Sequence, residues 1–287
     1  MIPSHGIVPE NERSDSDHAF LNIEPELMKG LVDVCDKAGV TINSVVELVW
    51  GITLGVYNRT QDAIFVKVVS GRNTSQLNLG NVVGLCINSV PVRVKFDYND
   101  TVVEALKKIQ SQAAETNEHD YCPLSDIIAQ TSLQSELFQS IMAFENYPDD
   151  ENKSDEPAPI VITGDDHNEE VFSEISFSVS TNDAKTKMLF NMSYNTTMYR
   201  ADEIQQVLDT MHELLKNISE QGDVKLSSLK LVPDCSVEEL EALGCGETLV
   251  YDYNDTMVDV FRHQADLTPD AICVVCNGRS STYRQID

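Results

Sequence analysis

Positive charge is what this sequence has least of: 20 Lys and Arg stand against 47 Asp and Glu, a formal net charge of −27. A surface so acidic repels phosphate backbones and anionic lipid headgroups. That excludes electrostatic binding of nucleic acid or membrane as the leading function class. No run approaches the ~18 consecutive apolar residues that a membrane helix needs, and the longest, Val45 to Tyr57, is interrupted by Glu47. The opening Met1-Ile2-Pro3-Ser4-His5-Gly6 lacks the basic and apolar regions of a secretory leader. Internal repeats are absent. So are a glycine-rich phosphate loop, a Gly-x-Ser-x-Gly elbow and a His-Glu-x-x-His pair, which removes the common self-contained hydrolase, metalloprotease and nucleotide sites.

The cysteines and histidines offer little chemistry of their own. Seven cysteines (Cys35, Cys86, Cys122, Cys235, Cys245, Cys273, Cys276) are an odd number, scattered and mostly within apolar runs. They read as buried, reduced thiols of a cytoplasmic protein rather than as a disulfide framework. Cys273-x-x-Cys276 is a lone pair on an expected strand and reads as buried strand cysteines, not as a redox or zinc motif. Of the six histidines, His5 and His18 fall in a loose N-terminal arm, His167 in an acidic loop, and His212 and His263 on helices. His119, in His119-Asp120-Tyr121-Cys122-Pro123-Leu124, has the least ordinary setting, and a structural hydrogen bond to a helix end is the expected role.

What is present is a globular pattern. With 287 residues, 41% hydrophobic and 23% charged, the chain can bury a sizeable core. After the arm (residues 1–23), Leu27, Leu31, Val34 and Ala38 recur at helical spacing and Gly39 suits a helix stop. Thr41 to Ser44 offer capping side chains ahead of Val45–Leu54, a segment apolar nearly all round and therefore a buried helix. Strands are expected over Ala63–Val69, Val82–Val94, Phe138–Glu145, Phe172–Ser180 and Met188–Tyr194. Amphipathic helices are expected over Thr101–Asn117, with Val102, Val103, Leu106 and Ile109 facing inward, and from Ala201 to near Asn217. An acidic, proline-containing stretch between Tyr147 and Glu170 is too charged to pack and reads as a long loop or crossover.

The pattern weakens over 221–254, expected as a linker. It resumes at Asp255 with a short helix, a strand over Ala271–Cys276, an Asn277-Gly278 hairpin turn and a returning strand from Ser281. Residues 24–220 thus form an α/β lobe, a mixed sheet with helices packed on it, and 255–287 a short C-terminal stub. A proline and a polar Asn inside an apolar strand, Pro91 and Asn88, are unusual. They point either to a sheet edge with a bulge or to a functional position, and a buried Asn must in any case find partners.

Four segments resemble, in order, the C-terminal half of a condensation domain of nonribosomal peptide synthetases. Ser70-Gly71-Arg72 followed by Val83-Gly84-Leu85-Cys86-Ile87-Asn88-Ser89-Val90-Pro91-Val92-Arg93 is similar to the family's S-G-R and V-G-x-F-x-N-T-x-P-x-R stretch. His119-x-x-x-Pro123-Leu124 resembles H-x-x-Y-P-L; Leu137-Phe138 through Phe144-Glu145-Asn146-Tyr147-Pro148 resembles L-F-x-x-x-x-x-F-E-N-Y-P; and Thr41 to Trp50 resembles the family's T…W helix. Beyond the linker, Phe261, Gln264-Ala265, Thr268-Pro269-Asp270-Ala271 and Ser281-Thr282-Tyr283-Arg284 look like the opening of an adenylation domain.

The resemblance implies a chloramphenicol-acetyltransferase-like lobe, one of two that enclose an active-site tunnel. It places Ser70, Gly71, Arg72, Gly84, Asn88, Arg93, His119, Phe144, Glu145, Asn146, Tyr147 and Pro148 at the tunnel or the interface between lobes. The Ser70–Gly84 loop would bridge beneath the tunnel, and the segment after Pro148 would cross to the other lobe. The implied activity is amide formation between aminoacyl and peptidyl thioesters held on carrier proteins by 4′-phosphopantetheine, with no cofactor or metal bound directly. The implied partners are those carrier proteins, the His-bearing N-terminal lobe and an adenylation domain. The family's His-His-x-x-x-Asp-Gly motif does not occur in these residues. Amide formation needs a base within about 3 Å of the amine proton, so the chain is expected to carry no catalytic residue of its own and to be silent alone. Departures from the pattern are Cys86 for Phe, Ser89 for Thr, Cys122 for Tyr and Asn73 for Pro, changes of packing rather than of role. The alternative is a non-catalytic module that docks a carrier protein or another partner.

Overall fold

The computed structural model describes residues 2–4, 16–72, 83–133, 139–145, 174–182, 184–246 and 256–287. The chain divides into two units, Met1–Ser236, here called the lobe, and Val237–Asp287.

In the lobe, β1 (Ser16–Ile23) leads into α1 (Pro25–Ala38), whose Pro sits at the first helical position and whose chain turns out at Gly39 with φ +70°. Thr41 then caps α2 (Ile42–Asn58) by accepting from the Ser44 N–H. As its all-round apolar sequence requires, α2 is buried continuously from Ser44 to Gly55, with Trp50 fully inside and its Nε1 donating to Ser140 Oγ at 3.2 Å. β2 (Asp62–Val69), β3 (Asn88–Lys95), α3 (Val102–Asn117), α4 (Leu124–Gln130), β4 (Ser140–Glu145), β5 (Ile175–Thr181), β6 (Met188–Asn195) and α5 (Ala201–Gln221) follow.

The strands make one mixed six-stranded sheet in the order β1-β6-β5-β4-β2-β3. β2, β4 and β5 run parallel; β3 is antiparallel to β2, and β6 to both β1 and β5. Alternation along β5 and β6 sends Phe177, Val179, Phe190 and Met192 inward, while Ser176, Ser178 and Asn191 on the other face are half-buried. Helices α2 and α5 meet the sheet, with α1 and α3 packed against them, giving a core that includes Trp50, Phe65, Leu106, Met142 and Leu214. Pro91 lies on β3, an edge strand, the kind of strand that tolerates a residue without an N–H.

Five expectations are corrected. Residues 16–23 are not part of a loose arm; they pair along the whole of β6, because Ala19, Leu21 and Ile23 alternate against an apolar partner. The second strand starts at Asn88, not Val82, since Val83, Leu85 and Ile87 stand exposed outside the ladder. The stretch read as linker contributes to the lobe through buried Leu226 and Leu229, with Val102 N–H donating to the Val224 carbonyl, and then forms α6 (Asp234–Gly244). Of the cysteines, Cys35 is buried, Cys86, Cys122 and Cys273 are half-buried, and Cys245 and Cys276 are exposed. Val103 is half-buried, and Ala105 takes the inward place beside Val102 and Leu106.

In the C-terminal unit, Thr256 caps α7 (Met257–Leu267), which leads to the hairpin β7 (Ile272–Cys276) and β8 (Arg279–Thr282), then α8 (Tyr283–Ile286). Asn277 and Gly278 both take positive φ, 49° and 74°, as a two-residue hairpin turn demands. No single helix among the described residues is long and apolar enough to cross a membrane.

Candidate functional site at one end of the sheet

The strand directions place the carboxyl ends of β1, β2, β4 and β5 at one end of the sheet, together with the starts of β3 and β6. The registers Val69↔Asn88, Glu145↔Ser180 and Thr181↔Met188 lie along that end. The residues singled out from the sequence gather there. Ser70-Gly71-Arg72 leaves β2, Asn88 opens β3, and Phe144-Glu145 closes β4. Asn146, Tyr147 and Pro148 lie outside the described residues.

Backbone chemistry explains the Ser-Gly-Arg corner. Gly71 has φ +61°, and a Cβ on it would run into the Cys86 carbonyl oxygen, so only glycine lets the corner lie against the strand that returns. Arg72 reaches the Gly84 carbonyl with its Nη2 at 3.5 Å. Alternating with these two ties, Val83, Leu85 and Ile87 are 101%, 92% and 63% exposed. Three large apolar side chains so close together form an exposed apolar surface of the kind that partners cover.

Asn88 is the anchor of the end. Its Nδ2 donates to the carbonyls of Asp120 at 2.7 Å and Cys122 at 2.8 Å. The two carbonyls fix which way the amide faces and leave Oδ1 as an acceptor without a partner among the described residues. The partners this Asn requires are thus supplied by the loop after α3, the segment that carries His119. The His119 ring itself is exposed, 6.5 Å from that of Tyr121. The helix-end hydrogen bonds are made by its main chain: its N–H donates to Thr116, and its carbonyl accepts from Cys122.

Arg93 is not at this end. It bonds Asp62 at the start of β2 through Nε at 2.7 Å, on the exposed face near the opposite end of the sheet. Beside Glu145, a cleft of about 700 Å³ opens between Ile23, Glu24, Thr181, Lys187 and Met188. The Glu24 carboxyl at its mouth is held below the usual range first by a backbone N–H, then by His212, whose Nε2 is 3.3 Å away. Among the described residues, no three His, Cys, Asp or Glu side chains converge as metal ligands.

Reading the sequence alone passed over a buried polar group behind Asn88. Glu47, 1% exposed, meets Lys67 Nζ at 2.7 Å and accepts from Asn43 Nδ2 at 2.7 Å. Asp120 is 5% exposed. The signal was available: a glutamate within a helix apolar on every side must bring its own partner into the core.

Comparison with known proteins agrees with this geometry. The family model of the condensation domain matches residues 2–241, and the chain belongs to that family. It is 26% identical over 99% of its length to tyrocidine synthase 3 of Brevibacillus parabrevis, covering 4% of that protein. It is 27% identical over 97% of its length to bacitracin synthase 3 of Bacillus licheniformis, again covering 4% of it. The chain spans between 3% and 11% of the length of the curated relatives it matches.

Among solved structures, a four-domain nonribosomal peptide synthetase bound to AMP and glycine superposes with TM-score 0.74 at 16% identity, over 99% of this chain and 22% of that one. The first condensation domain of the CDA synthetase superposes with TM-score 0.59 at 10% identity, over 78% of this chain and 50% of that one. The fold is the chloramphenicol-acetyltransferase-like one of these domains.

Proposed function

We propose that the lobe is the C-terminal half of a condensation domain that forms amide bonds in a nonribosomal peptide synthetase. The observation that carries this reading is the sheet end itself. The Ser70–Arg72 corner, Asn88 and Phe144–Glu145 converge there, and the apolar Val83–Ile87 segment is held out beside them for a partner. In support, about four-fifths of the chain superposes on half of an isolated condensation domain. The partner on that surface is then the N-terminal lobe bearing the His-His-x-x-x-Asp-Gly motif. The substrates are thioesters on 4′-phosphopantetheine arms of carrier proteins, in the cytoplasm.

Val237–Asp287 is proposed as the start of an adenylation domain. The superposition on the four-domain synthetase runs over 99% of the chain, whereas on the isolated condensation domain it stops at 78%, a difference close to the share this unit represents. The His-His-x-x-x-Asp-Gly sequence does not occur in the 287 residues, so in this reading the lobe acts by closing the tunnel and holding substrate, and the other lobe supplies the histidine.

The test is a condensation assay with aminoacyl- and peptidyl-carrier proteins. The 287-residue chain alone is expected to give no amide product, and addition of a polypeptide carrying the His-bearing lobe is expected to restore turnover. Turnover by the chain alone overturns the division of labour. No product from a correctly assembled pair favours a docking module without catalytic duty.

A further inference from the structure

Behind Asn88 the lobe gathers three charged side chains around one small space, Glu47 and Asp120 buried and Lys67 half-buried. Glu47 comes from α2, Lys67 from β2 and Asp120 from the loop after α3. Glu47 Oε1 takes the Lys67 ammonium, which leaves that ammonium with donors to spare. Asp120 has nothing comparable. Its Oδ1 is sealed from solvent without a hydrogen-bond partner among the described residues, although its backbone carbonyl holds Asn88. An orphaned buried carboxylate oxygen is costly and in folded proteins almost always conceals a partner.

The space beside it fits one. A cavity of about 10 Å³ is bounded by Glu47, Lys67, Gln112, Thr116 and Asp120, with Val90 and Val92 as its apolar floor. That is roughly the room one water occupies on such a measure, and water stays in a cavity only where two to four polar groups converge, as they do here. Purely apolar cavities stay dry even when they are far larger.

We propose that this cavity binds a single water molecule, which donates to Asp120 Oδ1 and accepts from Lys67 Nζ. Glu47, Lys67, the water and Asp120 then form one hydrogen-bonded chain from the buried helix α2, across β2, to the loop that grips Asn88. The local electrostatics agree: burial pushes the Asp120 carboxyl up, and Lys67 pulls against it, so the two sense each other without being bonded directly. A metal cation is disfavoured because the Lys67 ammonium already brings a positive charge to the wall of the space. The water site rests on burial and geometry and stands independently of the amide-forming role proposed above.

Crystals of the 287-residue chain that diffract well enough to show ordered solvent test it directly. The expected result is a peak within about 3 Å of both Asp120 Oδ1 and Lys67 Nζ. An empty cavity, or a Lys67 ammonium bonded straight to Asp120 Oδ1, overturns the proposal. So does a peak that gains anomalous signal when rubidium replaces the monovalent cation of the buffer. In solution, the wild-type Asp120 amide should show a water cross-peak with the sign of a long-lived molecule. Asp120→Asn should keep it, and Asp120→Leu, whose side chain fills the space, should lose it. Its absence in wild type, or its survival in Asp120→Leu, counts against the site. Wild type and Asp120→Asn decide the matter if the leucine variant does not fold.

Discussion

The lobe and the C-terminal unit use the same local devices and reach opposite states of burial. Thr101 at the head of α3 and Thr256 at the head of α7 make the same reciprocal capping box, with Glu104 and Asp259 respectively. Beneath its cap, α3 buries Val102, Leu106 and Ile109, whereas α7 buries only Ala265 and leaves Met257 89% exposed. β5 hides Phe177 and Val179, while β7 shows Ile272 and Val275 at 61% and 67% exposure. Capping and turn chemistry are therefore enough to set out helices and strands. Burial of apolar area is what stabilises them, and among the described residues nearly all of it lies in the lobe.

Core truncation should separate the two most strongly. Phe177→Ala, in a side chain 1% exposed and packed 5.3 Å from the Trp50 ring, is expected to cost about 3–5 kcal/mol. The check is urea unfolding followed by the fluorescence of Trp50, the chain's single tryptophan. Val275→Ala in the exposed face of β7 should move that transition by less than about 0.5 kcal/mol. Equal shifts from the two would mean that the C-terminal unit is stabilised in a way its burial does not suggest.

Next in size is the buried ion pair. Glu47→Ala leaves the half-buried Lys67 ammonium and Asn43 amide without the carboxylate they share and should cost about 3 kcal/mol, while Glu47→Gln, which keeps an acceptor, should cost less. Replacing both partners, Glu47→Leu with Lys67→Met, should recover most of the loss in the same urea titration, since an apolar pair carries no desolvation penalty.

That pair also marks how far the sequence could be read. Periodicity located α1, α3 and α5, an all-round apolar run located α2, and alternation located β5 and β6, because each carries its pattern over enough residues to be unambiguous. β1 escaped notice because His18, Phe20 and Asn22 on its outer side blur the alternation, and its partner β6 lies some 170 residues away in the chain. α4 is a single short helix with no buried residue, so it left no stripe to find. At the candidate site, the Ser-Gly-Arg corner was picked out by resemblance, and Asn88 was legible as a residue that needed partners. What they would meet was not, since Cys86 against Gly71, and Asp120 and Cys122 against Asn88, are tertiary encounters. Arg93 sits in the same motif as Asn88, yet the sheet carries it toward the other end. Proximity in sequence is a poor guide along an extended strand, which advances ~3.3 Å per residue.

Removing the caps probes the same contrast at lower energy. Thr101→Ala should lower the stability read by Trp50 by about 1 kcal/mol, because α3 unfolds with the core it covers. Thr256→Ala removes an equivalent box, but α7 buries only Ala265. Its expected signature is a small loss of helical circular dichroism with the Trp50 transition unmoved.

The smallest effect should come from surface charge, and pH tells the two units apart. In the lobe, Arg93 holds the Asp62 carboxyl below its usual range, chiefly through their hydrogen bonds. A carboxyl whose folded value is lowered adds stability that is present above the ordinary carboxylate range and is lost as pH falls through the lowered value, below about 4. Arg93→Ala should therefore shift the neutral-pH urea midpoint by less than Thr101→Ala does. The shift should shrink in high salt and vanish in acid. Arg284 and Asp270 form the matching pair in the C-terminal unit, 3.2 Å apart but with the carboxylate 80% exposed, against 38% for Asp62. Arg284→Ala should leave the midpoint unchanged at every pH, because water already screens a pair that no core supports.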